Sequence, residues 1–201
     1  KGTVIFNPIN DKLPEPYHGD REKYVTTFCR VSRQKNLPVL VSAFAGFHKD
    51  FNDYRLKIIG EPQNDDDKAA LEETKELADK LGIAEYIDFV SFSSQVHDFI
   101  IRDAMYVNSS DYEGMSNAML EAMAIGMPVI CTDCPIGGAN AVIDNNKNGI
   151  LTEVGNAEEI CDAMKKIASD KDFSDKLSLN AAQIRNTLSL DNTAKKWMEL
   201  L

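Results

Sequence analysis

Residues 111–133, DYEGMSNAMLEAMAIGMPVICTD, constrain the fold of this chain more than any other stretch. They open as a polar loop and then predict a helix over 117–125, because this part is rich in good helix formers and Ser116 is placed to cap its N-terminus. Gly126 stands where a helix C-terminus favours a left-handed residue, and Pro128 blocks any continuation. The predicted unit is therefore strand, loop, helix, turn and strand.

This unit predicts a ligand site. In a parallel sheet its loop and helix N-terminus lie at the carboxyl edge of the strands, where such sheets bind ligands. The free N–H groups of residues 115–118 would form an anion site between two carboxylates, Glu113 in the loop and Glu121 in the helix. Since like charges repel, both carboxylates cannot contact a phosphate. The order fits a ligand with hydroxyls at both ends and phosphate in the middle, as in a nucleotide-sugar.

The string EGMSNAMLEAMAIGMPVI resembles the E-x7-E segment of retaining glycosyltransferase family 4 (group 1), whose architecture is GT-B. The glutamate spacing alone is a weak signal, but the whole string with its asparagine and its GMPVI ending is specific. The resemblance covers nearly the whole chain, from about Asn7 to the last helix. It implies the C-terminal, donor-binding domain of an enzyme that moves a hexosyl or related group from a nucleotide diphosphate to an acceptor hydroxyl, with retention.

The resemblance also implies roles for single residues. Arg30 and Lys35 form the family's R-x4-K pair (RVSRQK), which would grip the diphosphate and stabilise it as it leaves. Glu113 would hold hydroxyls of the transferred sugar, and Glu121 would hold those of the ribose. Arg30, Lys35 and Glu113 are thus the candidate catalytic residues, although nothing supports a covalent intermediate on Glu113. The remaining donor-binding candidates are Ser91, Phe92, Gly114, Met115, Ser116, Asn117 and Ala118.

Ser91 and Phe92 enter that set because the backbone after the third strand lies against the base in the resembled family. For Phe92, packing in the core is an equal alternative.

Two departures from the family pattern affect the site. Cys29 stands where the family usually has a glycine, which narrows the space for a ligand. Gly137 and Gly138 indicate either backbone close to a ligand or a tight turn, but the glutamate of the family's G-G-x-x-E is missing.

Strands that alternate with helices predict an α/β fold, a doubly wound, mostly parallel sheet flanked by helices, equivalent to the Rossmann-like half of a GT-B enzyme. Residues 1–22 are interpreted as an interdomain linker with an entering strand at 3–6, and 23–188 as the donor-binding domain. Residues 189–201 are expected to form a helix that crosses to the missing N-terminal domain, or frays without it. The predicted strands are 24–31, 54–59, 87–92, 105–108, 129–131 and 150–151, and the predicted helices are 38–48, 65–81, 96–104, 117–125, 157–168 and 173–184.

Composition excludes several partners. The net charge of −10 argues against nucleic acid and acidic membrane surfaces, and no apolar run approaches the length that spans a bilayer. We therefore expect no nucleic acid partner and no membrane contact from this domain. The resemblance implies a cytoplasmic protein whose partners are a nucleotide diphosphate sugar and the N-terminal acceptor domain, with the full-length enzyme peripheral at the inner membrane face at most. Because the chain starts without a methionine, we expect it to be a piece of a longer protein. Because the acceptor domain is missing from it, we expect this piece to be inactive alone. The resemblance implies a role in cell-surface polysaccharide synthesis, the family's commonest work.

Other chemistry is disfavoured. The four cysteines are too few and irregular for a disulfide scaffold, so free thiols are expected. The triplet Asp65, Asp66 and Asp67 is interpreted as the acidic first turn of a helix, and no metal or other cofactor is expected. The three histidines have no spaced partners and are expected at the surface. Two alternatives remain open, a sugar-nucleotide 2-epimerase of the same architecture and a non-catalytic nucleotide-sugar-binding domain.

Overall fold

A computed structural model describes residues 4–135 and 137–199. The chain forms one six-stranded sheet in which every neighbouring pair of strands is parallel, with the order β3-β2-β1-β4-β5-β6. The strands are β1 Glu22–Phe28, β2 Arg55–Ile59, β3 Ile87–Val90, β4 Asp103–Asn108, β5 Val129–Thr132 and β6 Ile150–Thr152. The predicted parallel, doubly wound sheet is confirmed.

Helices cover both faces of this sheet. The described part of the chain contains α1 Leu37–His48, α2 Asp65–Lys80, α3 Val96–Ile100, α4 Asn117–Ala124, α5 Ala139–Val142, α6 Ala157–Ser169, α7 Lys171–Ala181, α8 Ile184–Thr187 and α9 Leu190–Met198, with short 3-10 helices at Arg33–Lys35 and Ala84–Tyr86. On one face, α1 packs against α2 and α6 over a large apolar core. A second core under α3, α4 and α8 covers the other face. None of the described helices is long and apolar enough to cross a membrane.

Several predicted strand boundaries are wrong, and the backbone pairing between strands explains the differences. Val4–Phe6 have no regular structure, because this segment pairs with no strand; further on, the Ile9 N–H instead donates to the Leu188 carbonyl at 2.8 Å. Thr3 lies outside the described residues. The predicted strand 87–92 ends at Val90, where pairing with β2 stops.

The predicted helix 96–104 is also too long, because Asp103 belongs to β4. Its carboxylate is fully buried, accepts from the Lys57 ammonium at 2.8 Å and from the Thr26 hydroxyl at 2.5 Å. These bonds join β4 to β1 through Thr26 and to β2 through Lys57, since a buried charge needs such partners. Helix α3 therefore ends at Ile100. The predicted helix 173–184 is likewise replaced by two helices, α7 and α8.

The segment before β1 is fixed to the C-terminal end of α4. Helix α4 ends as predicted, with Gly126 left-handed at φ 80°. The carbonyls that α4 leaves free are taken by this segment and by two arginines: Tyr17 N–H donates to Ile125 at 3.1 Å, the Arg21 guanidinium to Gly126, and Arg185 Nε to Ala124 at 2.7 Å. Positive charge at a helix C-terminus is favourable. The entering segment is therefore bound directly to the C-terminal end of α4.

We expect Arg185→Met to lower the free energy of unfolding by about 2 to 4 kcal/mol, because a charged donor of several hydrogen bonds is lost and its acceptors stay unpaired. Besides Ala124, Arg185 donates to the carbonyls of Leu13 and Pro14. The measurement is urea denaturation followed by circular dichroism. Lys176→Met, on the exposed side of α7, is the matched control and should change stability by less than about 0.5 kcal/mol. Equal losses of unfolding free energy in both variants would show that the hydrogen bonds of Arg185 do not stabilise this end of α4.

Candidate functional site

The sheet order places a switch point between β1 and β4. From β1 the chain proceeds outward through β2 and β3, and from β4 it proceeds the other way through β5 and β6. In open parallel sheets, ligands bind outside the carboxyl ends of the strands at such a point. The loop after β1, residues 29–36, and the loop after β4, residues 109–116, meet there. These loops carry Arg30, Lys35 and Glu113.

The two loops are bound to each other by several hydrogen bonds. Asn36 Nδ2 donates to Asp111 Oδ1 at 2.5 Å, and the Asp111 N–H donates to the Gln34 carbonyl at 2.9 Å. The Ser109 hydroxyl donates to the Lys35 carbonyl at 2.8 Å. Asn36 takes the left-handed conformation, with φ 44°, that turns the chain from the short 3-10 helix into α1. The loop positions are therefore set by the backbone as much as by the charged side chains.

The Lys35 ammonium donates to Glu113 Oε2, so the structure brings together two of the predicted site residues. Their side chains are only 16% and 19% exposed. The Ser110 hydroxyl also donates to Glu113 Oε2, at 3.3 Å. An ammonium has three donors and a carboxylate four lone-pair sites, so both groups keep capacity for a ligand. This pair can bind a phosphate oxygen through Lys35 and a hydroxyl through Glu113.

Arg30 stands apart from that pair. It is exposed and makes no ion pair with any residue in 4–135 or 137–199. The other arginine of the loop, Arg33, instead bonds Asp66 and Glu73 on α2, at 2.8 Å each. Only Arg30 thus remains as a second cation available to an anionic ligand from this loop.

The predicted first turn of α4 is confirmed. The Ser116 hydroxyl accepts from the Met119 N–H at 3.3 Å, which is N-capping. The N–H groups of Asn117 and Ala118 belong to the first turn, where helical N–H groups have no intrahelical acceptor. Gly114 is exposed, and a Cβ there would meet nothing within 4 Å. The helix N-terminus is thus open to an anion.

The glycine pair after β5 supports this loop. The Gly138 N–H donates to the Gly114 carbonyl at 2.9 Å, and a Cβ on Gly138 would come within 2.9 Å of Met115 atoms. The Gly137 N–H donates to the Cys134 carbonyl at 2.8 Å, which closes a tight turn. The glycines therefore allow one protein loop to approach another, which explains them without a ligand.

Glu121 lies on the second turn of α4 and lines a cleft of about 370 Å³. The cleft is also lined by Asn117, Leu120, Leu190 and the segment Asn7, Pro8, Ile9, Asn10 and Asp11. His97 Nε2 lies 2.9 Å from Glu121 Oε2. The expectation that all three histidines lie at the surface is wrong for His97, which is half-buried, and for His48, which is buried. No spacing in the sequence could reveal His97, because it lies 24 residues from its partner on another helix.

Ser91 and Phe92 follow β3 at the same carboxyl edge as the other candidates. Both are exposed, and Phe92 keeps 63% of its surface accessible. The alternative that Phe92 packs in the core is therefore wrong. Strand β3 is an edge strand, separated from β1 by β2. The loop thus offers an exposed aromatic ring at the carboxyl edge of the sheet, two strands away from β1.

Burial raises the pKa of each of the four cysteines and so disfavours the reactive thiolate form. All four thiols are free, as expected. Burial raises the pKa of Cys29 to about 11, even though the Lys35 ammonium is nearby. Burial also raises the pKa values of Cys131 and Cys134. Thiols with such pKa values stay protonated at neutral pH and are poor nucleophiles.

The three aspartates at the start of α2 form the acidic first turn of that helix, as the sequence predicts. All three lie in its first turn, and Asn64 caps the helix by accepting from the Asp67 N–H at 2.8 Å. Asp66 accepts from Arg33, and Asp65 from Lys68. Across the described ranges, no group of three or more histidine, cysteine or acidic side chains is arranged to hold a metal ion.

Comparison with known proteins identifies the family of this chain. The model of the family "Glycosyl transferases group 1" matches residues 10–184. The N-acetylgalactosamine-N,N'-diacetylbacillosaminyl-diphospho-undecaprenol 4-alpha-N-acetylgalactosaminyltransferase of Campylobacter jejuni is 26% identical over 174 residues, which are 85% of this chain and 45% of that protein. An uncharacterized glycosyltransferase of Haemophilus influenzae is 23% identical over 98% of this chain and 54% of its own length. The chain thus spans about half the length of these relatives.

Solved structures match the fold. A TarM variant from S. aureus, in complex with Fondaparinux, alpha-GlcNAc-glycerol and UDP, superposes with a TM-score of 0.85 at 21% identity, over 98% of this chain and 39% of that one. The C-terminal domain of the group 1 glycosyl transferase LpcC from Francisella tularensis gives a TM-score of 0.75 at 22% identity, over 86% of this chain and 94% of that domain. The fold is therefore the Rossmann-like half of a GT-B structure.

Proposed function

This chain belongs to the glycosyl transferases of group 1, and from that premise we propose that it supplies the donor-binding half of an enzyme that transfers a sugar from a nucleotide diphosphate with retention. The acceptor-binding half would be an N-terminal domain, without which this chain would not turn over. Two relatives act by name on a diphospho-undecaprenol-linked sugar and on poly(ribitol-phosphate), and these acceptors favour a role in polysaccharide synthesis. The free thiols fit a cytoplasmic location, because the cytoplasm keeps cysteines reduced.

One observation carries the proposal: the Lys35–Glu113 pair, the open N-terminus of α4 and Glu121 follow one another at the switch point of the sheet. Glu121 lies five residues beyond the Ser116 cap, or ~7.5 Å along the helix at ~1.5 Å per residue. A ribose beside α4 could reach Glu121 while its phosphates sit at the helix N-terminus. A sugar beyond the phosphates could reach Glu113. The site thus fits sugar, diphosphate and ribose in that order.

The proposed catalysis is electrostatic. When the bond between the sugar and the diphosphate breaks, negative charge grows on the leaving phosphate oxygens. Lys35, Arg30 and the N–H groups at the start of α4 would stabilise that charge, and fixed donors of this kind need no reorganisation during the reaction. Glu113 would orient the sugar through its hydroxyls. Three positive groups aimed at the diphosphate can replace a metal ion, so we propose that donor binding needs none.

UDP is the first nucleotide to test, because the TarM structure that this fold matches contains it. The exposed ring of Phe92 would lie against the base, and the backbone at Ser91 beside it. Stacking on a ring does not select one base, so UDP, GDP, ADP and CMP sugars all belong in a thermal-shift screen. The tightest of these then serves as the donor in the titrations that follow.

The variants Glu121→Gln and Glu113→Gln should differ in which ligand they bind more weakly. Glu121→Gln should weaken binding of the plain nucleotide diphosphate and of the nucleotide-sugar by the same amount, roughly 1.5 to 3 kcal/mol for a lost charge-assisted hydrogen bond. Glu113→Gln should weaken only the nucleotide-sugar. It should spare the plain nucleotide, because it also frees the Lys35 ammonium for the diphosphate. Calorimetry with both ligands measures this.

Glu85→Gln is the matched control, because Glu85 is exposed just before β3, at the opposite edge of the sheet. Neither ligand should respond to it. If Glu113→Gln weakens the plain nucleotide as strongly as Glu121→Gln does, the proposed order of sugar, phosphates and ribose is wrong.

Metal dependence is tested in the same titrations. We expect the affinity for the nucleotide diphosphate to be the same with excess chelator as with magnesium or manganese, since the proposed site neutralises the phosphates with its own cations. A large loss of affinity in chelator that either metal restores would contradict a metal-free site.

A further inference from the structure

Glu121 has a single protein partner within the described residues, the imidazole of His97. The carboxylate is 30% exposed, and its Oε2 atom lies 2.9 Å from His97 Nε2. Because a carboxylate only accepts hydrogen bonds, Nε2 must carry the proton and donate it. A glutamate side chain on a helix surface otherwise moves among several rotamers. The direction of this carboxylate therefore depends on His97.

His97 is itself held firmly. Its neighbour Val96 and Ile100, one turn further along α3, are both buried in the core beneath that helix. Its ring meets the Phe28 ring edge-on, with centroids 5.7 Å apart and an angle of 87° between the planes. Phe28 is the last residue of β1 and is buried. The orientation of Glu121 is therefore set by the end of the central strand, through His97.

The bond to His97 leaves the other carboxylate oxygen free. Within the described residues, Glu121 Oε1 has no hydrogen-bond partner, while Glu121 lines the cleft beside the start of α4. A ribose there offers two neighbouring hydroxyl donors. A carboxylate fixed in advance loses less entropy when it accepts from them than a mobile one does. His97 thus orients the Glu121 carboxylate in advance to accept hydrogen bonds from the two ribose hydroxyls.

We propose that His97 is a positioning residue that gives this site its preference for ribonucleotides over 2′-deoxyribonucleotides. The proposal rests on the proposed function, in which Glu121 receives the ribose. A site built to bind a hydroxyl discriminates against an analogue that lacks it, because the polar groups of the site are then left unpaired. Without His97 the carboxylate would turn towards water, and the preference would fall.

The test uses two variants of this 201-residue chain and two ligands. The ligands are the tightest binder among UDP, GDP and ADP and its 2′-deoxy form. His97→Phe keeps a ring against Phe28 but removes the donor. His97→Gln keeps a donor, since its amide nitrogen lies at about the same distance from the backbone as Nε2. Calorimetry gives the six affinities of the wild-type chain and the two variants for the two ligands, and thermal unfolding without ligand checks that each variant is folded.

We expect His97→Phe to weaken binding of the ribonucleotide about tenfold and to leave the deoxyribonucleotide within about twofold, because only the former uses the oriented carboxylate fully. His97→Gln should restore most of the preference. Equal losses for both ligands would show that His97 supports the surrounding fold, and unchanged affinities would show that it does not orient Glu121. Either result overturns the inference.

Glu121→Gln separates this inference from the proposed function. If the wild-type chain binds a nucleotide and Glu121→Gln weakens it while His97→Phe does not, only the role of His97 is wrong. If Glu121→Gln has no effect on nucleotide binding, the ribose is not at Glu121, and both the inference and the proposed position of the ribose fail.

Discussion

The site depends on the adjacency of β1 and β4 in a wholly parallel sheet. These strands are neighbours in space, although registered partners such as Val25 and Met105 lie 80 positions apart in the sequence. The loops that follow the two strands meet at one edge of the sheet. Lys35 and Glu113, 78 residues apart, bond each other because of this order. A cation and an acid at the same edge give a site that can take both a phosphate and a hydroxyl.

Helix α4 connects this site to the rest of the chain. Its N-terminus is open to a ligand, and its second turn carries Glu121. Its C-terminal carbonyls are bound by Arg21, Arg185 and the segment that precedes β1. In the proposed enzyme that segment would lead to the acceptor domain, so a movement between the two halves would act on the helix that we propose binds the donor.

Much of the fold could be predicted from local patterns. The capping serine and the left-handed glycine fixed both ends of α4, since caps depend only on nearby residues. The end of α3 could not be predicted, because it depends on the burial of Asp103 with Lys57, which comes from a different strand. The pairing of His97 with Glu121 was missed for the same reason. Contacts between distant elements leave no spacing in the sequence.

The central claim is that the start of α4 binds the diphosphate, and amide hydrogen exchange across residues 114–118 tests it most directly. The measurement compares the free chain with the chain bound to the tightest of UDP, GDP and ADP, and with the corresponding nucleoside. The account predicts that the nucleotide slows exchange at these amides and that the nucleoside, which lacks phosphate, does not. Unchanged exchange at 114–118 in a chain saturated with nucleotide would contradict it.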